Sequence, residues 1–245
     1  MKKTVFITGA TAGIGKATAQ LFAQNNFNII ISGRRMERLN DLAKELETNF
    51  GVDVLSLCFD VRDQKAVENA LKNLPQKWQN IAILVNNAGL AAGKDALQNG
   101  KRSNWERMID TNVKGLLYVS EQIIPGMIAR KSGHIINLSS TAGKETYPGG
   151  NVYCASKHAV EAITEGLRID LLPHNIRVSR VSPGMVETEF SLVRFDGDKA
   201  AAAATYAGLK ALQPEDVADA VYALATTLKF TTGSIIPVDG GRLLK

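Results

Sequence analysis

Apolar residues fall along this chain in two alternating rhythms. Short, almost unbroken runs rich in Val and Ile occupy positions 5–8, 28–32, 54–59, 81–85, 134–138, 177–181 and 234–238. Between them, apolar residues recur every three or four positions over 15–25, 36–49, 65–74, 104–130, 152–172 and 215–228. The first rhythm suits strands buried on both faces, and the second suits amphipathic helices. Strand and helix in alternation predict an α/β fold, a doubly wound parallel sheet of about seven strands flanked by helices. No linker-like stretch divides the chain, so a single domain over 1–245 is expected. Its least regular part, 187–210, contains the alanine run 200–204, which favours helix but buries little. That segment reads as a mobile helical lid over a site.

Composition refines this only slightly. Of 245 residues, 45% are hydrophobic and 22% charged, as in ordinary globular proteins. No apolar run reaches the roughly 18 residues of a membrane span. The start, Met1-Lys2-Lys3-Thr4-Val5-Phe6-Ile7, breaks at Thr8-Gly9, too early for the core of a signal peptide. A cytoplasmic location is expected. Cys58 and Cys154 are too few for a disulfide framework and lack metal-ligand spacing. Both read as buried thiols, and no metal site is expected. A net charge of +5 raises the question of nucleic acid, but the basic residues are scattered without interleaved aromatics. A mild field for small anions is the better reading, with no nucleic-acid or membrane partner.

Candidate chemistry begins where the first run ends, at Thr8-Gly9-Ala10-Thr11-Ala12-Gly13-Ile14-Gly15. Glycines permit a tight turn close to a ligand, and the following helix offers free N–H groups to a pyrophosphate. The spacing, G-x-x-x-G-x-G, is not the common G-x-G-x-x-G fingerprint. The second run ends Ile31-Ser32-Gly33-Arg34-Arg35, with no acid to receive a ribose 2′-hydroxyl. Guanidinium groups bind a 2′-phosphate well, so Arg34 and Arg35 point to NADP(H).

Tyr153 and Lys157 lie four residues apart in a helical pattern, on one helix face. A nearby ammonium lowers a phenol's pKa and makes it a usable acid and base. Ser140, just after the fifth run, is placed to hydrogen-bond a substrate oxygen. Alone, Tyr-x-x-x-Lys is commonly a surface pair, and its company here gives it meaning. His158 sits one position round the helix and reads as non-catalytic, and Cys154 as packing.

With these motifs in order, the sequence resembles the short-chain dehydrogenase/reductase family over nearly its whole length. Thr8-Gly9-x-x-x-Gly13-Ile14-Gly15, Asn86-Asn87-Ala88-Gly89, Asn137-Leu138-Ser139-Ser140, Tyr153-x-x-x-Lys157 and Pro183-Gly184 match its motifs. The resemblance implies a Rossmann fold, with Tyr153 as proton donor and acceptor. It makes Lys157 the residue that tunes Tyr153 and binds the nicotinamide ribose. Ser140 fits better than Ser139 because it sits at the family's thirteen-residue separation from the tyrosine. Asn112 matches an asparagine that supports a relay water. Gly9, Thr11, Gly13, Ile14 and Gly15 would hold the pyrophosphate, and Asp60 and Val61 the adenine. Asn87, Ala88 and Gly89 would lie against the cofactor, with Pro183, Gly184, Val186 and Thr188 at its nicotinamide end.

Residues 84–93, 105–112 and above all 187–198 (ETEFSLVRFDGD) resemble the bacterial NADP-dependent serine and 3-hydroxy acid dehydrogenases. The substrates implied are L-serine, L-allo-threonine or short 3-hydroxy acids. Arg194 is the candidate clamp for their carboxylate, and Tyr147 either walls the pocket or packs. General carbonyl reductases and 3-oxoacyl thioester reductases remain the alternatives with the same catalytic group, and a non-catalytic NADP-binding protein is a third. The family also implies a homotetramer or dimer, with 104–130 and 152–172 as interfaces.

Overall fold

A computed structural model of the chain describes residues 2–208, 210–227 and 232–241. Its strands are β1 (Thr4–Thr8), β2 (Asn28–Gly33), β3 (Val54–Cys58), β4 (Ile81–Asn86), β5 (Gly133–Leu138), β6 (Ile176–Pro183) and β7 (Ile235–Val238). Its helices are α1 (Gly13–Gln24), α2 (Met36–Phe50), α3 (Gln64–Lys72), α4 (Arg102–Ile109), α5 (Gly115–Ala129), α6 (Asn151–Leu171), α7 (Phe190–Arg194), α8 (Lys199–Ala204) and α9 (Pro214–Thr226). The strands form one parallel sheet in the order β3-β2-β1-β4-β5-β6-β7. All seven predicted strands are present, and the expected doubly wound sheet is the observed one. Strand order reverses between β1 and β4, and such a reversal opens a crevice at the carboxyl ends of the strands.

The pleat sends neighbouring residues of β1 to opposite layers. Val5 and Ile7 join Phe22 of α1, Leu39 and Leu46 of α2 and Val221 of α9. Phe6 joins Val67 of α3 and Val119, Ile123 and Met127 of α5. Phe22 meets Phe27 and Tyr222 edge-on, with centroids 5.0 and 5.2 Å apart. Each such buried side chain contributes about 1.5–3 kcal/mol, so the apolar runs that predicted the strands also hold the layers together.

Three expectations need correction. Burial on both faces fails at the sheet's edges, because β3 and β7 each have a neighbour on one side only; both are partly exposed. Cys58, the last residue of β3, is consequently exposed rather than buried, whereas Cys154 is buried. The helix expected over 104–130 is interrupted. A π-helical turn, Asp110–Lys114, joins α4 to α5, and such turns occur often at functional sites. Of the helix expected over 215–228, position 228 lies outside the described residues.

His134 on β5 carries a stability prediction. Its Nε2 lies 3.0 Å from Ser179 Oγ, and its Nδ1 has no partner among the described residues. Burial, with a smaller push from the Arg177 charge, lowers the imidazole pKa from 6.5 to about 3. The unfolded chain then binds one more proton than the folded chain between those values. This residue's contribution to stability therefore falls as pH drops from about 6.5 toward about 3. Urea midpoints measured across that range should decline more steeply in the parent than in His134→Leu; parallel curves would contradict the assignment.

Candidate active site

A cleft of about 260 Å³ opens over the carboxyl ends of β1, β2, β4, β5 and β6. Of the site residues named from the sequence, all line it except Gly15, Asn112 and Arg194. The floor is the glycine turn. Gly9 has φ +68, and a Cβ there would lie 2.9 Å from the Ala88 Cα. A Cβ on Gly15 would lie 2.5 Å from both Asn87 Nδ2 and the Gly9 carbonyl. The turn is thus packed too closely against the segment after β4 for side chains. No side chain caps α1 and no acid occupies its first turn, which leaves helix N–H groups for an anion.

Thr8 ties β1 to β4, a role the sequence reading did not identify. Its Oγ1 accepts the amides of Asn87 and Ala88 at 3.1 and 3.0 Å. Asn87 Nδ2 returns hydrogen bonds to the Thr8 and Gly9 carbonyls at 2.8 and 3.1 Å. Asn87 is therefore held over the turn by three atoms, Thr8 Oγ1 and the Thr8 and Gly9 carbonyl oxygens, rather than left free to swing.

At the end of β2, Arg35 donates through Nη2 and Nε to Thr11 Oγ1 at 2.8 and 3.3 Å, and through Nη1 to Glu189 at 2.9 Å. Arg34 lies 3.9 Å from Asp60. Burial works against ionisation of Asp60, but the hydrogen bonds of Arg62 and the Arg34 charge hold its carboxyl below the ordinary range. No carboxylate occupies the end of β2 itself, as the sequence indicates.

The other end of the cleft holds Ser140, Tyr153 and Lys157. Tyr153 and Lys157 stand one turn apart on α6, both buried, with the ammonium 6.0 Å from the phenol's ring centroid. Lys157 Nζ donates to the Leu138 carbonyl at 2.9 Å, and burial lowers its pKa to about 8. Burial pushes the Tyr153 phenol above its ordinary range, partly offset by the Ser140 hydroxyl and the Arg194 charge. Ser140 and Arg194 both favour the phenolate here. Ser140 Oγ accepts the Ala142 amide at 3.1 Å and donates to the Pro183 carbonyl at 3.3 Å. Ser139 instead contacts the Lys157 carbonyl and Glu161, each at 3.4 Å. Glu161 in turn pairs with Arg180 at 3.1 Å beneath the site. Neither partner of this largely buried pair lies in a motif.

Asn112, in the π turn, is buried behind the cleft wall. Its Oδ1 accepts the Leu90 amide at 2.8 Å, and its Nδ2 donates to the Leu90 carbonyl and Ser156 Oγ at 2.8 and 2.9 Å. It fixes the segment after β4 to α6. His158 turns back on its own helix, with Nδ1 2.9 Å from the Cys154 carbonyl.

The segment expected as a lid contains two short helices, α7 and α8. Phe190 meets Tyr153 edge-on at 5.8 Å. Arg194 is buried rather than solvent-facing. Its Nε donates to the Gly93 carbonyl at 3.0 Å, and its guanidinium lies 5.4 Å from the Tyr147 ring centroid and 6.0 Å from that of Tyr153. Its Nη2 has no partner among the described residues. Tyr147 therefore packs and also flanks the guanidinium beside the phenol.

Known proteins resemble this chain over most of its length. Residues 3–198 match the family described as short chain dehydrogenase. The NADP-dependent 3-hydroxy acid dehydrogenase YdfG of Salmonella typhi is 45% identical over 238 residues, 96% of this chain and 94% of that protein. Sulfoacetaldehyde reductase 2 of Chromohalobacter salexigens is 46% identical over 227 residues, 92% of this chain and 89% of that protein. The closed form of a serine dehydrogenase complexed with NADP+ superposes with a TM-score of 0.89 at 44% identity, covering 96% of this chain and 93% of that one. With its glycine turn, Asn-Asn-Ala-Gly clasp and Ser140-Tyr153-Lys157 cluster in their expected places, this chain belongs to the short-chain dehydrogenase family.

Proposed function

We propose that this enzyme interconverts the 3-hydroxyl and 3-oxo groups of a small hydroxy acid with NADP(H), L-serine, L-allo-threonine and short 3-hydroxy acids being the candidate substrates. The observation that carries the proposal is one cleft with arginines at one end and a buried phenol at the other, with the Arg194 guanidinium, outside the cleft lining, 6.0 Å from that phenol's ring and with Nη2 unpartnered among the described residues. The names of its relatives, hydroxy acid and serine dehydrogenases, support the same substrate class.

The residues fit the cofactor because a Cβ would fill the glycine cradle and cations replace an acid at the end of β2. Gly9, Thr11, Gly13, Ile14 and Gly15, with the α1 N-terminus, would hold the pyrophosphate. Arg34 and Arg35 would take the 2′-phosphate, and Asp60 and Val61 the adenine. Asn87, Ala88 and Gly89 would flank the chain of the cofactor, and Pro183, Gly184, Val186 and Thr188 its nicotinamide end. When bound, the nicotinamide supplies or accepts the hydride.

The protein's own residues handle the proton and the charge. In reduction, the Tyr153 hydroxyl gives its proton to the substrate oxygen, and Ser140 hydrogen-bonds that oxygen as charge develops on it. In oxidation, Tyr153 takes the proton back. Lys157, with its pKa near neutrality, is placed to pass protons through the ribose side of the site. Asn112 is the candidate anchor of a relay water. Arg194 receives the substrate carboxylate.

The test follows nicotinamide absorbance with NADP+ and NAD+ over hydroxy acids, simple alcohols and thioesters. NADP+-linked oxidation of the free acids is expected; activity confined to alcohols or thioesters would refute the substrate assignment. In Arg34→Ala/Arg35→Ala, the NADP+ to NAD+ ratio of kcat/KM should fall at least about tenfold, since each charged hydrogen bond is worth about 1.5–3 kcal/mol before solvent screening. An unchanged ratio would remove both arginines from the 2′-phosphate site. We further propose a cytoplasmic homo-oligomer, a tetramer or dimer, through α5 and α6, where Leu117 and Ile169 are exposed. A light-scattering mass tests the assembly.

A further inference from the structure

One carboxylate already engages the cations that the cofactor reading needs. Glu189, the residue before α7, accepts Arg35 Nη1 on one carboxylate oxygen at 2.9 Å and Arg38 Nη1 on the other at 2.7 Å. Arg38 lies in the first turn of α2, one helical step beyond Arg35. Glu189 lines the cleft together with Thr11, Arg34 and Arg35. Arg38, then Arg35, hold its carboxyl below the ordinary range, so it is an anion at neutral pH. All three side chains are between 42% and 47% exposed, which makes these pairs exchangeable rather than locked.

A guanidinium cannot offer the same Nη1 hydrogens to a carboxylate and to a phosphate at once. A carboxylate a few ångströms from a phosphate dianion also repels it. Resting on the NADP(H) reading above, we infer that Glu189 is an internal competitor for the 2′-phosphate and that Arg38 is a third cation of its subsite. Together they set how strongly the protein favours the phosphorylated dinucleotide. Arg35 keeps its two hydrogen bonds to Thr11 Oγ1 while Nη1 changes partner, so the subsite need not be rebuilt when the anion arrives. Glu189 also begins the segment that carries Phe190 and Arg194 to Tyr153. The exchange at the adenosine end is thereby linked through a few residues to the wall of the substrate end.

The test is equilibrium binding, read from nucleotide fluorescence, with NADPH and NADH titrated separately into the parent, Glu189→Gln and Glu189→Gln/Arg38→Ala. Removing the carboxylate charge should tighten NADPH roughly fivefold, the scale of two exposed ion pairs, with NADH unchanged. The gain should shrink toward nothing at about 1 M salt, where charges are screened within about 3 Å. In the Glu189→Gln background, Arg38→Ala should weaken NADPH again and leave NADH unchanged. If Glu189→Gln leaves NADPH affinity unchanged or weakens it while the parent still prefers NADPH, Glu189 orients the arginines instead and the inference falls alone. If the parent binds NADH as tightly as NADPH, the NADP(H) reading falls and the inference with it.

Discussion

Tyr153→Phe should lower turnover by about 10²–10⁴-fold, the usual contribution of a positioned general acid, while NADPH affinity stays unchanged. The substitution removes one oxygen and little else. The ring keeps its edge-on contact with Phe190 and its place among Leu90, Ala92, Met108 and Cys154. Lys157 keeps its hydrogen bond to the Leu138 carbonyl, and Ser140 its bonds to Ala142 and Pro183. Burial holds the phenol protonated, so the parent begins the reduction with its acid loaded. The phenylalanine variant has the same walls and no proton to give. Steady-state rates and a binding titration on the same preparation check both halves. Turnover within about tenfold of the parent would remove Tyr153 from the chemistry, and lost NADPH binding would make its role structural.

The second large effect is expected at Arg194. A guanidinium nitrogen buried without a partner is costly, and a substrate carboxylate would satisfy Arg194 Nη2, which has none among the described residues. Arg194→Ala should therefore lower kcat/KM for free hydroxy acids by roughly 10–150-fold, equivalent to about 1.5–3 kcal/mol for a charge-assisted hydrogen bond. Neutral alcohols and ketones should lose much less. The ratio is the informative quantity, because Arg194 also holds the Gly93 carbonyl and packs on Tyr147 and Phe195. A purely structural role would depress both substrate classes together. Equal losses would thus contradict the clamp.

The fold was legible because parallel strands flanked by helices must be apolar on both faces, and that pattern is strong over β1, β2, β4 and β5. It misled where the sheet ends. β3 and Cys58 carry residues suitable for an interior strand, yet among the described residues no strand pairs beyond that edge. The π turn around Asn112 was invisible because one extra residue per turn barely disturbs a helical apolar pattern. The cleft residues were legible because they sit in local motifs. Residues that act through distant partners were not. Arg38 and Glu189 are 151 positions apart in sequence, and Thr8 reaches Asn87 and Ala88 across 79 and 80. Only the sheet's order brings those pairs together.

The most direct test of the central claim traces the hydride itself. The enzyme is incubated with NADP+ and L-serine or 3-hydroxybutyrate carrying deuterium on C3, and the reduced nucleotide is analysed by mass spectrometry. The account predicts NADPH one mass unit heavier, with the deuterium on the nicotinamide ring, and no such product from Tyr153→Phe at comparable times. Unlabelled NADPH, or none from either acid while simple alcohols are oxidised, would contradict it.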